Sequence, residues 1–161
     1  FYGAIGDVSK AIELKAKSEY FAELGNLKAD IGDYKRAIPD ILKAIVLDPE
    51  NIEFKYLLIL FTHNSGKSKE AFEKLNQNLK NLLNTPYAPL FYDLRGIIKI
   101  GLNESNEIEK GLGLNDKNGG CLDLKKGLEL AKRLTEEDFQ NFEYLSYDFD
   151  GVNEIITEFC N

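Results

Sequence analysis

A chain of 161 residues has the length of about one domain, and 43% hydrophobic with 29% charged residues is ordinary for a globular chain with a sizeable core. Lys and Arg number 20 against 27 Asp and Glu, and the resulting charge of −7 disfavours nucleic acid and anionic membrane surfaces as partners. Two cysteines and a single histidine, His63, exclude a disulfide framework, a four-thiolate zinc site and paired-imidazole chemistry, so neither metal nor cofactor is expected.

Apolar residues recur at spacings of three and four, which predicts helices near 2–14, 18–31, 34–47, 52–63, 67–83, 88–101, 117–132, 135–145 and 151–160, with essentially no sheet. Pro49, Pro86 and Pro89 and the breakers Gly32-Asp33, Asn64-Ser65-Gly66, Asn118-Gly119 and Asp150-Gly151 separate them. Asn51 is placed to cap the helix opening at Ile52, and Thr135 with Asp138 forms a near capping box. Pro39 falls inside the third segment, where it marks either a kink or a late helix start. No run of about 18 apolar residues exists to span a membrane. The chain opens on Phe1 rather than Met and carries no signal-peptide pattern, as expected of a processed product or an excised piece of something longer.

The segments repeat. Ala37 and Ile41 recur 34 residues later as Ala71 and Leu75, and Ala37, Ile41 and Ala44 recur 33 residues earlier as Ala4, Val8 and Ala11. Gly32 recurs as Gly66 at the break between two helices. Small residues on a helix face let two helices approach closely, and an antiparallel pair with its turns takes roughly 34 residues.

In this pattern the chain resembles the tetratricopeptide repeat (TPR) family. Residues 18–51 match best: Phe21, Leu24-Gly25, Gly32, Tyr34, Ala37, Ile41, Ala44 and Pro49 stand at the family's large, Leu-Gly, turn, aromatic, small, large, small and proline positions. Residues 1–17 look like the second half of a preceding unit, and 52–88 form a weaker unit with Ile59 and Asn78 at positions for small residues. Residues 89–133 form a third unit if 103–114 are an insertion, because removing those twelve residues puts Gly96 and Gly120 at the separation of Gly25 from Ala37. Residues 134–161 would close the array with capping helices. The resemblance implies an all-α, right-handed superhelical solenoid of antiparallel helix pairs.

It also implies a protein–protein interaction scaffold without catalytic activity, whose first helices line a concave groove. The groove-facing partner-binding residues would be Glu19, Asn26 and Asp30 in the first complete unit, Glu53, Tyr56, Leu60 and His63 in the second, and Asp93 and Ile97 in the third, with Ala22, Ala29, Asn64, Leu90 and Ile100 beside them. Apolar residues among carboxylates suit a peptide or partner helix carrying aliphatic side chains and a Lys or Arg. The opposing expectation is that Leu60, Ile97 and Ile100 belong to the core. A carboxylate-clamp groove is not expected: of its basic and Asn positions only Asn26 fits, and Ala22, Leu90 and Leu94 stand where cations are needed.

Two rival readings differ in class. The helix at 2–14 lacks its own partner helix, so Ala4, Val8 and Ala11 would offer an apolar face for self-assembly into a homo-oligomer. An enzyme would need Cys121 as nucleophile with His63, but His63 reads as structural and Cys121 as a small buried hydrophobe. Cys160 is either buried or paired with Cys121, if the tail folds back in an oxidising compartment. Gly66-Lys67-Ser68 lacks the earlier Gly of a phosphate loop, and Asp148-Phe149-Asp150-Gly151 lacks the spacing of a calcium loop. Asn103-Glu104-Ser105 is a formal glycosylation sequon. The insertion, with Glu104, Glu107 and Glu109 beside Lys110, reads as a surface excursion or an extra helical turn.

Overall fold

The computed structural model of the chain describes residues 2–82, 85–104, 117–140, 142, 145 and 148–160. Among these the regular structure is helical, with no strand: α1 (Tyr2–Leu14), α2 (Ser18–Asp30), α3 (Tyr34–Leu47), α4 (Ile52–Asn64), α5 (Ser68–Leu82), α6 (Ala88–Glu104), α7 (Lys117–Ala131), α8 (Glu136–Gln140) and α9 (Phe149–Phe159). The chain divides into two compact units, Phe1–Ala71 and Phe72–Asn161. In the first, α1 packs on α2, α2 on α3 and α3 on α4; in the second, α6 packs on α7 and α7 on α9.

Local chemistry sets the helix ends. Asp33 caps α3 by accepting the Arg36 N–H at 3.2 Å, and Asn51 caps α4 by accepting the Phe54 N–H at 3.2 Å. Thr135 and Asp138 form the expected box: the Thr135 N–H donates to the Asp138 carboxylate at 2.8 Å, and the Asp138 N–H to the Thr135 hydroxyl at 3.2 Å. The helix they open is shorter than expected, ending at Gln140, and Phe142 and Leu145 stand outside it. Phe142 instead stacks on Tyr87 and meets Phe139 edge-on, with ring centroids 4.7 and 5.8 Å apart. Conversely, α3 starts at Tyr34 and runs through Pro39, so there is no late start. Pro39 sits in its second turn, where a single backbone donor is lost. Helix α6 reaches Glu104, past the expected start of the insertion, and residues 105–114 lie outside the described residues.

The two glycines expected to break helix pairs both adopt the left-handed conformation, Gly32 at φ 76° and Gly66 at φ 88°. Each closes its helix in the same way. The N–H groups of Gly32 and Asp33 reach back to the carbonyls of Ala29 and Lys28, and those of Gly66 and Lys67 to His63 and Thr62. This pairing satisfies two orphan carbonyls at each helix end and needs a residue without a Cβ penalty.

Two antiparallel hairpins, α2/α3 and α6/α7, share their internal contacts. A Cβ added to Gly25 would meet the Ile41 side chain at 2.8 Å and the Ala37 carbonyl oxygen at 3.4 Å. A Cβ added to Gly96 would meet Leu124 at 2.7 Å and the Gly120 carbonyl oxygen at 2.8 Å. Lys28 on α2 pairs with Asp40 on α3, and Lys99 on α6 pairs with Asp123 on α7 at 3.0 Å. The three contacts of one hairpin correspond to the three of the other when twelve residues are taken out between α6 and α7. Close approach at glycine and alanine, backed by one interhelix ion pair, is thus a recurring unit of packing.

Gly96→Val is expected to destabilise by about 3 kcal/mol, near the upper end for overpacking, because one of the atoms in the way is a backbone carbonyl that cannot rotate aside. Gly101 on the same helix is exposed and meets nothing within 4 Å, so Gly101→Ala is expected to stabilise by about 0.5–1 kcal/mol. Urea unfolding of the two variants checks the opposite signs. Equal effects would remove the close approach as the reason for Gly96.

Candidate functional site

In the first unit, the residues expected to meet a partner come from α2 and α4, which both pack on α3. On α2, Glu19 and Asp30 are exposed and Asn26 is half-buried. Glu19 stands in the first turn, where its own backbone N–H, then the Ser18 hydroxyl and Lys17, hold its carboxyl below the usual range. A carboxylate at a helix N-terminus is favoured by the free amide donors there. On α4, Tyr56, Leu60 and His63 are half-buried at spacings that put them on one helix face, whereas Glu53 is only 4% exposed.

The α6 residues are differently placed. Asp93 is 6% exposed and packs onto Gly127 of α7, where an added Cβ would come within 2.9 Å of its Cγ and 3.0 Å of the Pro89 carbonyl oxygen. In the sister hairpin the corresponding positions hold Ala22 and Ala44, so a larger residue on one helix is matched by a smaller one on the other. Ile97 packs against a cluster of Ile100, Cys121, Leu124, Leu128 and Val152, with Phe149, Ile155, Ile156 and Phe159 of α9 around it. The core expectation therefore describes Ile97 and Ile100 of α6, and Leu90 and Leu94 are buried as well. As they stand, Glu53 and Asp93 offer almost no carboxylate surface, and Glu19 and Asp30 are the acids that face solvent.

His63 lies at the end of α4 with Nδ1 2.9 Å from the Ser68 hydroxyl. Burial lowers its pKa below the ordinary 6.5. In the folded protein the neutral ring is favoured, so between the folded pKa and 6.5 the unfolded chain binds more protons and stability rises with pH. That contribution is complete above 6.5 and is lost as the pH falls through the folded pKa. His63→Gln is expected to remove this part of the pH dependence. Urea midpoints of wild type and variant between pH 7 and pH 5 check it, and parallel curves would refute it.

Cys121 and Cys160 form a disulfide across 39 residues, which joins α7 to the end of α9. Of the two arrangements open to Cys160, the tail folds back and pairs. Cys121 is buried among apolar residues as expected, but its sulfur is bonded, so it offers no thiolate to a His63 dyad in this state. Among the described residues, no group of three or more His, Cys, Asp or Glu gathers as a metal site, and no helix is long and apolar enough to cross a membrane.

Two features were missed by sequence reasoning. The interhelix ion pairs were legible in principle, since Lys28 and Asp40 recur as Lys99 and Asp123 under the spacing already used for Gly25 and Gly96. The other is an apolar surface in the first unit: Leu42, Val46 and Leu47 of α3 are exposed, Val46 at 79%, and Leu14 of α1 at 89%. Leu42 and Val46 at i, i+4 carry the periodicity of a core face, and only the packing shows that α3 turns this face outward. The chain matches no model of a known protein family and no curated protein sequence.

Proposed function

We propose that this chain is a non-catalytic protein-binding scaffold, built as a TPR-like right-handed solenoid of helix pairs, which holds a basic and partly apolar peptide or helix. The observation that carries the reading is the recurrence of the same glycine contact and the same interhelix ion pair in α2/α3 and α6/α7. Repeated hairpins that bury one face against their neighbours leave another for recognition. Within the first unit, the exposed carboxylates of Glu19 and Asp30 with the half-buried Tyr56 and Leu60 suit cationic and aliphatic side chains.

The test uses a fluorescent Lys/Leu amphipathic peptide. Glu19→Lys combined with Asp30→Lys is expected to weaken its binding about tenfold, since each lost exposed ion pair contributes under about 1 kcal/mol and each new repulsion a similar amount. Unchanged binding by this variant, or none by wild type, rejects the α2 and α4 face.

Self-assembly through the Ala4, Val8 and Ala11 face of α1 is the second reading: Ala4 is exposed and Val8 and Ala11 half-buried, and Leu14 at the end of the helix is exposed as well. Sedimentation over a wide concentration range decides it, and a concentration-independent monomer ends it.

A further inference from the structure

The exposed apolar residues of α3 border a groove of about 360 Å3, lined by Ala16, Phe21, Leu42, Lys43, Val46 and Leu47. Its wall is almost wholly carbon, and Leu14 stands two residues before Ala16. The fold does not require this surface. Under the correspondence that aligns Asp40 with Asp123 and Ile41 with Leu124, Leu42 and Val46 match Lys125 and Glu129 of α7. Glu129 is there an ordinary solvated residue, paired with Lys126 and Arg133. One hairpin thus has charges where the other shows Leu and Val, and exposed apolar clusters of this kind mark contact sites.

The charge at the rim selects the partner. Among the described residues, the one ionisable side chain lining the groove is Lys43, whose ammonium lies 5.4 Å from the centre of the Phe21 ring. Lys15 and Lys17, both exposed, flank Ala16 in the chain, with the Lys17 ammonium 5.5 Å from the centre of the Tyr20 ring. One lysine lining the groove and two beside it in the chain, against Asp48 next to Leu47, leave its surroundings net positive in a chain of charge −7 and complementary to carboxylates. Leu42 and Val46, one turn apart on α3, present a ridge that an amphipathic helix can straddle.

We propose that the groove between α3, Phe21 of α2 and Ala16 docks an acidic amphipathic helix of a partner protein, with its aliphatic side chains against Leu42, Val46 and Leu47 and its carboxylates toward Lys43 and the flanking Lys15 and Lys17. This surface shares no residue with the α2 and α4 face and selects the opposite partner charge.

Fluorescence anisotropy tests it with a labelled peptide of about 16 residues carrying Leu at i, i+3, i+4 and i+7 and Glu on the other face, beside the same peptide with Lys for Glu. Wild type is expected to bind the Glu peptide, more weakly as salt rises. Leu42→Lys with Val46→Glu, which installs the residues of the sister hairpin without changing net charge, is expected to lose more than about tenfold in affinity at an unchanged urea midpoint. Lys17→Glu with Lys43→Glu is expected to lose more than about tenfold in affinity for the Glu peptide. Glu19→Lys with Asp30→Lys is expected not to weaken binding of the Glu peptide, which separates this site from the other face. The proposal is overturned if wild type does not bind the Glu peptide, if the Glu19→Lys/Asp30→Lys variant, which lacks the other face, does not prefer it to the Lys peptide, or if the Leu42/Val46 variant binds it equally well. A dimer abolished by Leu42→Lys would make a second copy the occupant, and binding to phosphatidylserine vesicles without peptide binding would make it a lipid surface; either result overturns the acidic helix.

Discussion

Asp123→Ala is expected to destabilise the second unit by about 3–5 kcal/mol, the cost of leaving buried charge without its partner. Asp123 on α7 accepts from Arg95 through both Nε, at 2.7 Å, and Nη2, and from Lys99 Nζ at 3.0 Å. Its side chain is 9% exposed, and those of Arg95 and Lys99 are 16% and 14%. Both cations stand on α6, so removing one carboxylate leaves two desolvated positive charges side by side on one helix, without the acid they share across the interface with α7. Arg95 is further constrained over the Tyr92 ring, 5.2 Å from its centre, which limits its escape to solvent. Asp40→Ala removes the corresponding acid of the first unit, but it strands only Lys28, which is 20% exposed and can extend its amine to water. Its effect should therefore be smaller. Urea unfolding of the two variants measures the order. An Asp123→Ala loss under about 1 kcal/mol would mean that the two cations relax into solvent, and that the triad adds little to stability.

Removing the disulfide is expected to cost about 4 kcal/mol, the chain-entropy value for cysteines 39 residues apart. The loss should begin at α9. That helix is held by Val152, Ile155, Ile156 and Phe159 against Cys121, Leu124 and Leu128, and by the covalent link at its end. With Cys121→Ser and Cys160→Ser together, amide protection along α9 is expected to fall before that of α7. A cavity of about 450 Å3 beside both cysteines gives a small thiol reductant access, so reduction of the native protein should have the same effect. Equal urea midpoints for oxidised and reduced protein would show that the apolar cluster alone holds α9.

The fold was readable where its determinants are neighbours in the chain. Periodicity and breakers predict α1 to α4 within about a residue, and Asn51, Gly32 and Gly66 act as their types require, because caps and turns are made by residues three to five apart. The equal spacing of Gly25–Ala37 and Gly96–Gly120 also has a physical counterpart, since both glycines face the backbone of the next helix. The candidate site was less readable. A carboxylate in an amphipathic pattern reads as solvent-facing, yet Asp93 is buried because Gly127, 34 residues on, leaves room for it.

From the order of residues alone follow the helices, their caps, the glycine turns and the places where two helices come closest. These depend on backbone propensity and on contacts within one hairpin. Packing between distant segments decided the rest. It joined Cys121 to Cys160, gave Arg95 and Lys99 one shared acid, and placed Leu42 and Val46 on the surface rather than in the core. A helix carries its apolar stripe in its own sequence, but whether that stripe is covered depends on which other helix arrives, and that partner lies elsewhere in the chain or in another molecule.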